Sequence, residues 1–292
     1  MRMDENDENA APSGGYAAVN LLVENNESDA EDYGSIIDAF NQDRKSIDRH
    51  VTQEAHEIIE SDPELKNCKS TVIYNPRWMK GIVGIVASRL IETYFRPTVV
   101  LTQSNGFATG SARSVPGFDL YQAVESCADL LENFGGHMYA AGLTMRPENV
   151  GEFTRRFNAY VEENIDPQML VPQVDVDAEL LFSEITPAFR RELKRFEPFG
   201  PGNAAPIFAT RSVSNRGDAK LVGAECEHLR MDLTQRQKPN TTLQCIAFQQ
   251  PEHFEWIRSG RPVDVCYQIV ENHYRGTVST QLRIKDIKRV EK

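Results

Sequence analysis

The sequence predicts a small α/β domain followed by an all-β domain, with one long connecting helix in front of both. Three observations carry this. Apolar side chains recur at steps of three, four or seven from Tyr33 to Ile58. Strand-like and helix-like runs alternate between residues 67 and 165. Beyond Pro172 the chain turns into short β-rich runs separated by turn residues. A length of 292 residues, 40% hydrophobic and 26% charged, fits about two soluble domains with real cores.

The first 27 residues are polar apart from Ala17 to Val23. A capping box of Ser28 and Glu31 then opens the long helix, and Asp62–Pro63 closes it. At 1.5 Å per residue that helix spans roughly 50 Å, a length suited to joining two domains. The α/β part is expected to run as strand 71–75, helix 81–94, strands 98–102 and 107–112, helix 119–133, strand 141–145 and helix 147–163, with Pro147 in the last helix's first turn. Residues 166–172, with two prolines, form a linker. The β part is expected to hold strands at 174–178, 207–213, 220–223, 228–233, 242–248, 263–270 and 280–284, with helices at 183–195 and 252–258.

The net charge of −11 at first disfavours a nucleic-acid binder. Residues 1–66, however, carry 17 acidic against 5 basic side chains, and the rest 26 against 27. The body is therefore neutral and leaves room for basic patches. Five scattered cysteines without a C-x-x-C pair point to reduced thiols and a cytoplasmic protein. The acidic opening is not expected to act as a leader, and no apolar run approaches the roughly 20 residues that a membrane span needs.

Two segments carry candidate chemistry. In Phe134-Gly135-Gly136-His137-Met138-Tyr139-Ala140-Ala141-Gly142, the glycines let a backbone approach a ligand, and His137 offers a donor to a phosphate or a proton shuttle. The same residues also suit a Gly-Gly turn leading into a core histidine. In Gly110-Ser111-Ala112-Arg113-Ser114, a guanidinium between two hydroxyls suits a phosphate, although a surface arginine among turn-forming serines fits equally. Gly81 and Gly84, in the helix after Trp78, are expected to allow tight helix–sheet packing. Cys226 and His228 are too few for a structural zinc site. No Asp/His cluster suits a pair of divalent cations, so no metal ligand is assigned in this chain.

The Trp78–Leu90 segment, GSARS at 110–114 and FGGHMYAAGLT at 134–144 together resemble the DHH-associated domain of RecJ exonucleases, in the DHH phosphoesterase superfamily. FEPFGPGN at 196–203 and QLRIKD at 281–286 resemble the OB-type domain that follows it there. The resemblance divides the chain into an acidic segment and interdomain helix (1–66), a DHH-associated α/β domain (67–166) and an OB-type β-barrel domain (173–292). It implies the substrate-binding, carboxy-terminal part of a metal-dependent 5′→3′ single-stranded-DNA exonuclease of DNA repair and recombination. The DHH domain, with its Mn2+ or Mg2+, is missing from the chain, which is expected to be a truncated or split product, inactive alone and without a cofactor of its own.

The resemblance further implies that Ser111, Arg113, Ser114, Gly135, Gly136 and His137 contact substrate, with His137 beside the absent metal site. Arg230, Tyr267, Tyr274, Arg283 and Lys285, and less strongly Phe199, are candidates for a DNA groove. Expected partners are single-stranded DNA, the protein's own DHH domain, and a single-strand-binding protein and a helicase, with no membrane. A non-catalytic RecJ-like scaffold and a DHH-family phosphodiesterase of short oligonucleotides are the alternatives.

Overall fold

In the computed structural model, residues 14–235, 238–274 and 276–290 are described, and the chain forms two compact units that divide between Pro172 and Gln173. The first contains, in order, α1 (Gly14–Val23), α2 (Glu27–Ser61), α3 (Pro63–Asn67), β1 (Thr71–Tyr74), α4 (Val83–Tyr94), β2 (Thr98–Ser104), β3 (Phe107–Arg113), α5 (Leu120–Glu125), β4 (Leu131–His137), β5 (Ala140–Met145) and α6 (Val150–Asn164). Its sheet has the order β1-β2-β3-β5-β4, parallel only between β1 and β2.

Alternation along the strands sends side chains to two cores. Val99, Leu101, Ala108, Ala112 and Leu143 pack with Phe153 and Phe157 of α6, whose rings stack at 5.6 Å. Burying an aromatic or branched side chain in this way stabilises by about 1.5–3 kcal/mol. Ile73 and Val100 face the other way, onto Val86, Ala87 and Leu90 of α4 and Val51, Ala55 and Ile59 of α2.

The long helix is therefore part of this unit's packing. Asp48, buried in α2, accepts three hydrogen bonds of 2.8–3.1 Å from Arg89 of α4. Trp78 Nε1 donates to Glu54 at 2.7 Å, and Thr102 Oγ1 donates to the Trp78 carbonyl at 2.6 Å, which fixes the loop leading into α4. The buried Arg96 guanidinium donates to Thr71 Oγ1 and to the carbonyls of Leu65, Lys66 and Cys68 at the end of α3. Burial pushes its pKa down.

Several boundaries differ from expectation. Residues 14–23 form a helix because Ala17 buries completely and α1 packs on α2. Asn26 rather than Ser28 caps α2, accepting from Ser28 N at 3.0 Å. Gly81 precedes α4 instead of opening it. The helix expected over 119–133 stops at Glu125. Asp119 caps it as foreseen, but Leu131–His137 leaves to pair antiparallel with β5. Gly135 and Gly136 accordingly lie within a strand, and Met138–Tyr139 makes the turn.

The second unit contains β6 (Ala178–Glu179), α7 (Pro187–Lys194), β7 (Phe208–Asn215), β8 (Lys220–Val222), β9 (His228–Gln235), β10 (Lys238–Ala247), α8 (Phe254–Arg258), β11 (Val263–Tyr274) and β12 (Thr277–Arg289). The strands run β7-β11-β12-β10-β9, and β9 pairs back onto β7, which closes a five-stranded barrel with β10 and β12 parallel. This is an OB-type barrel. Its interior holds Val213, Leu229, Met231, Leu233, Val265 and Leu282. The helix α7 starts at Pro187 rather than Ser183, because Thr186 caps it through Phe189 N at 3.1 Å.

Candidate nucleic-acid interface

Register assembles the site of the first unit. Arg113 on β3 and His137 on β4 both pair with Ala140 of β5, and Ser111 and Gly135 both pair with Gly142. Directly opposed residues on antiparallel strands point to the same face. Arg113, Ala140 and His137 thus form one row, and Ser111, Gly142 and Gly135 the next. Thr109, Thr144 and Asn133 make a third.

This is the α4 side of the sheet. Helix α4 lies on β2 and β3, while Asn133, Gly135, His137 and Gly142 are exposed. The outcome is a shelf with a floor of small residues, walled by the start of α4 and ended by Arg113 and His137. Gly84 sets the wall's distance, since a β-carbon there would lie 3.1 Å from Arg113 Nη2 and 3.2 Å from Ser111 Oγ. The helix–sheet packing expected of Gly84 is present, whereas Gly81 has nothing within 4 Å of where its β-carbon would stand.

Each polar group has a defined state. Arg113 Nη1 donates to the Ala112 carbonyl at 2.9 Å, and the half-buried guanidinium has no carboxylate partner among the described residues. The Ser111 hydroxyl makes no hydrogen bond among them either. Tyr139 N donates to His137 Nδ1 at 3.2 Å, so the neutral imidazole carries its proton on Nε2. No side chain caps α4, whose first amides bring a partial positive charge beside Arg113. An anion, above all a phosphate, suits this end of the shelf.

Ser114 departs from expectation. Its hydroxyl donates to the Phe118 carbonyl at 2.8 Å, with the Val115 carbonyl a second acceptor at 3.2 Å, so its one proton is engaged in a turn. Gly136 has φ +155°, and a β-carbon there would come within 2.2 Å of the Ala140 carbonyl oxygen, so only glycine lets the hairpin close. Gly135 has open space in that direction. Asn133 was missed because it was expected to end a helix, and Thr144, in a strand that was foreseen, joins the shelf only through its pairing with Thr109 and Asn133.

On the barrel, Arg230 and Arg283 share a row, each paired with Ile246, and Lys220 pairs with Arg230. Lys285 is exposed nearby on β12. Tyr267 is a correction: it is fully buried, its hydroxyl 2.8 Å from Thr210 Oγ1, and burial pushes its pKa up to about 12. It holds the core together and offers no stacking face. The side chain of Tyr274 lies outside the described residues. Phe199 is half-buried in a cavity of about 200 Å³ between α7 and β11, with Arg190 and Gln268 beside it. Asn203 closes the loop containing Phe199, donating to the carbonyls of Phe196 (2.8 Å) and Pro198 (3.0 Å).

Among the described residues no group of three or more His, Cys, Asp or Glu side chains converges as metal ligands, and no helix is long and apolar enough to cross a membrane. No step through a metal follows from this chain's residues.

Comparison with known proteins gives the same two-part division. A DHHA1 domain matches residues 67–163 and a RecJ OB domain matches residues 176–286. The single-stranded-DNA-specific exonuclease RecJ of Bacillus subtilis is 31% identical over 272 residues, 92% of this chain and 34% of that protein. The Escherichia coli protein of the same name is 31% identical over 282 residues, 92% of this chain and 47% of that protein. The crystal structure of Thermus thermophilus RecJ with Mg2+ superposes with a TM-score of 0.72 at 26% identity, over 94% of this chain and 41% of that one. A second structure of that protein, with Mn2+, gives 0.73. The chain thus spans between a third and a half of the length of these curated relatives.

Proposed function

The chain belongs to the RecJ family, and from that premise we propose that it is the strand-holding part of a metal-dependent 5′→3′ single-stranded-DNA exonuclease. The observation that carries this is the shared row of Arg113 and His137 at the end of a glycine-floored shelf. A single strand lies along the shelf with a phosphate on Arg113, Ser111 and the start of α4. Gly135 and Gly142 let its backbone pass close to the sheet. His137 Nε2 faces the reacting end and donates to a phosphate oxygen there.

Mg2+ or Mn2+ would be held by the residues of a DHH domain, not by the described residues of this chain, and would there supply an activated water. By itself, the chain binds and does not cut. Residues 1–66 serve as the connecting arm, 67–166 as the DHH-associated domain and 173–292 as the OB-type domain, whose outer row of Arg230 and Arg283 guides the strand. The exposed Tyr16, Val19 and Leu22 of α1 suit contact with the DHH domain. The setting is DNA repair and recombination in the cytoplasm, consistent with five free cysteines, alongside a single-strand-binding protein and a helicase.

The test is photocrosslinking to an end-labelled single strand carrying photoreactive bases, with Mn2+ or Mg2+ present. Crosslinks on peptides 109–113 and 133–144, with the strand left at full length, are expected. Shortening of the strand, or crosslinks that avoid both peptides, would contradict the assignment.

A further inference from the structure

With Tyr267 inside the barrel, the outer face has a different aromatic. Phe248, in the turn just after β10, is 47% exposed. The turn is held from both sides. Gln249 N donates to His228 Nδ1 at 3.3 Å, and Gln250 Nε2 donates to the Lys285 carbonyl at 3.3 Å. The His228 imidazole stands edge-on to the Phe248 ring with centroids 4.9 Å apart. A large apolar ring fixed in this way loses little conformational freedom when a ligand covers it.

The surroundings are basic. The Arg283 guanidinium lies 5.8 Å from the centre of the Phe248 ring, at the outer limit of a cation–π contact. Arg230 shares the Arg283 row, Lys285 is exposed beside the turn, and Glu227 is the neighbouring acid, 3.5 Å from His228 Nε2. A half-exposed aromatic ring among guanidinium and ammonium groups matches a nucleobase with its phosphates, not an apolar or cationic partner.

We propose that Phe248 is a nucleobase-stacking site and that it sets the barrel's preference for unpaired strands. This rests on the strand-holding role of the chain. A base needs a free face to stack on Phe248, and in a duplex both faces are already covered by neighbouring bases. Arg283 then moves from the ring to the stacked base or to an adjacent phosphate, so the two side chains act on one nucleotide. Stacking reads no base edge, so the site accepts any base.

The test uses the full chain, with single-stranded, duplex and abasic single-stranded oligonucleotides, and three proteins: wild type, Phe248→Ala and Phe248→Trp. Phe248→Ala is expected to weaken single-strand binding about tenfold, within the range for loss of one stacked base. Duplex and abasic binding stay unchanged, as does the unfolding midpoint. Phe248→Trp is expected to keep the affinity, with its fluorescence quenched by single strands and not by abasic ones. If wild type prefers single strands and Phe248→Ala binds them equally well, the stacking site is wrong and the strand-holding role stands. If wild type binds no strand of any kind, both fail.

Discussion

Arg113 and His137 lie on different strands yet pair with the same residue, Ala140, so the sheet carries a guanidinium and an imidazole in one row about two strand spacings, roughly 10 Å, apart. Among the described residues neither is held by a carboxylate, and the face between them is floored by alanine and glycine. This relationship ties two separate sequence motifs to one ligand.

Replacing Arg113 tests the phosphate role. Arg113→Ala is expected to weaken single-strand binding about tenfold and to reduce the slope of log affinity against log salt by about 0.7, the share of one phosphate contact on a single strand. Arg113→Lys restores charge but not the fork, and recovers affinity only in part. Salt-titrated binding isotherms check this, and an unfolding midpoint that falls in step with affinity would count against it.

The two adjacent glycines separate folding from function. Gly136→Ala is expected to destabilise the first unit by about 2–4 kcal/mol, since its β-carbon would meet the Ala140 carbonyl oxygen at 2.2 Å. A β-carbon at Gly135 would meet nothing within 4 Å, so Gly135→Val is expected to fold normally while it raises the shelf floor and weakens single-strand binding. Thermal unfolding and binding measured on both variants decide the matter.

The attachment of α2 depends on an ion pair. Asp48→Ala leaves Arg89 without its partner and is expected to cost about 2 kcal/mol, less than for a fully buried pair because the Arg89 side chain is 43% exposed. Denaturant titration of Asp48→Ala against wild type measures it.

His56 gives the same helix a pH response. Burial, only partly opposed by Glu60, lowers its pKa below the ordinary 6.5. A histidine with a depressed folded pKa binds more protons when unfolded, so its contribution to stability is present above pH 6.5 and lost as pH falls toward the folded pKa. His56→Gln is expected to flatten that part of the stability profile, and denaturant midpoints between pH 5 and pH 8 would reveal it.

Much of this was legible beforehand because it is local. Alternation marks β9, where Leu229, Met231 and Leu233 are buried at every second position, and Asp119 announces a helix start. What escaped depends on pairing between distant residues. Residues 131–134 suit a helix as readily as a strand until β5 claims them. Tyr267 stands where a bulge shifts the register of β11 against β12, so alternation counted along the strand does not fix which way it points. Phe248 owes its exposure and bracing to a turn held by His228 and Gln250. Those contacts exist only once β9, β10 and β12 are side by side.

The central claim is that this chain grips single-stranded DNA, and fluorescence anisotropy with single- and double-stranded oligonucleotides over a salt series addresses it most directly. Preference for the single strand, with affinity falling steeply as salt rises, is the predicted result. Equal affinity for both forms, or no binding at low salt, would contradict it.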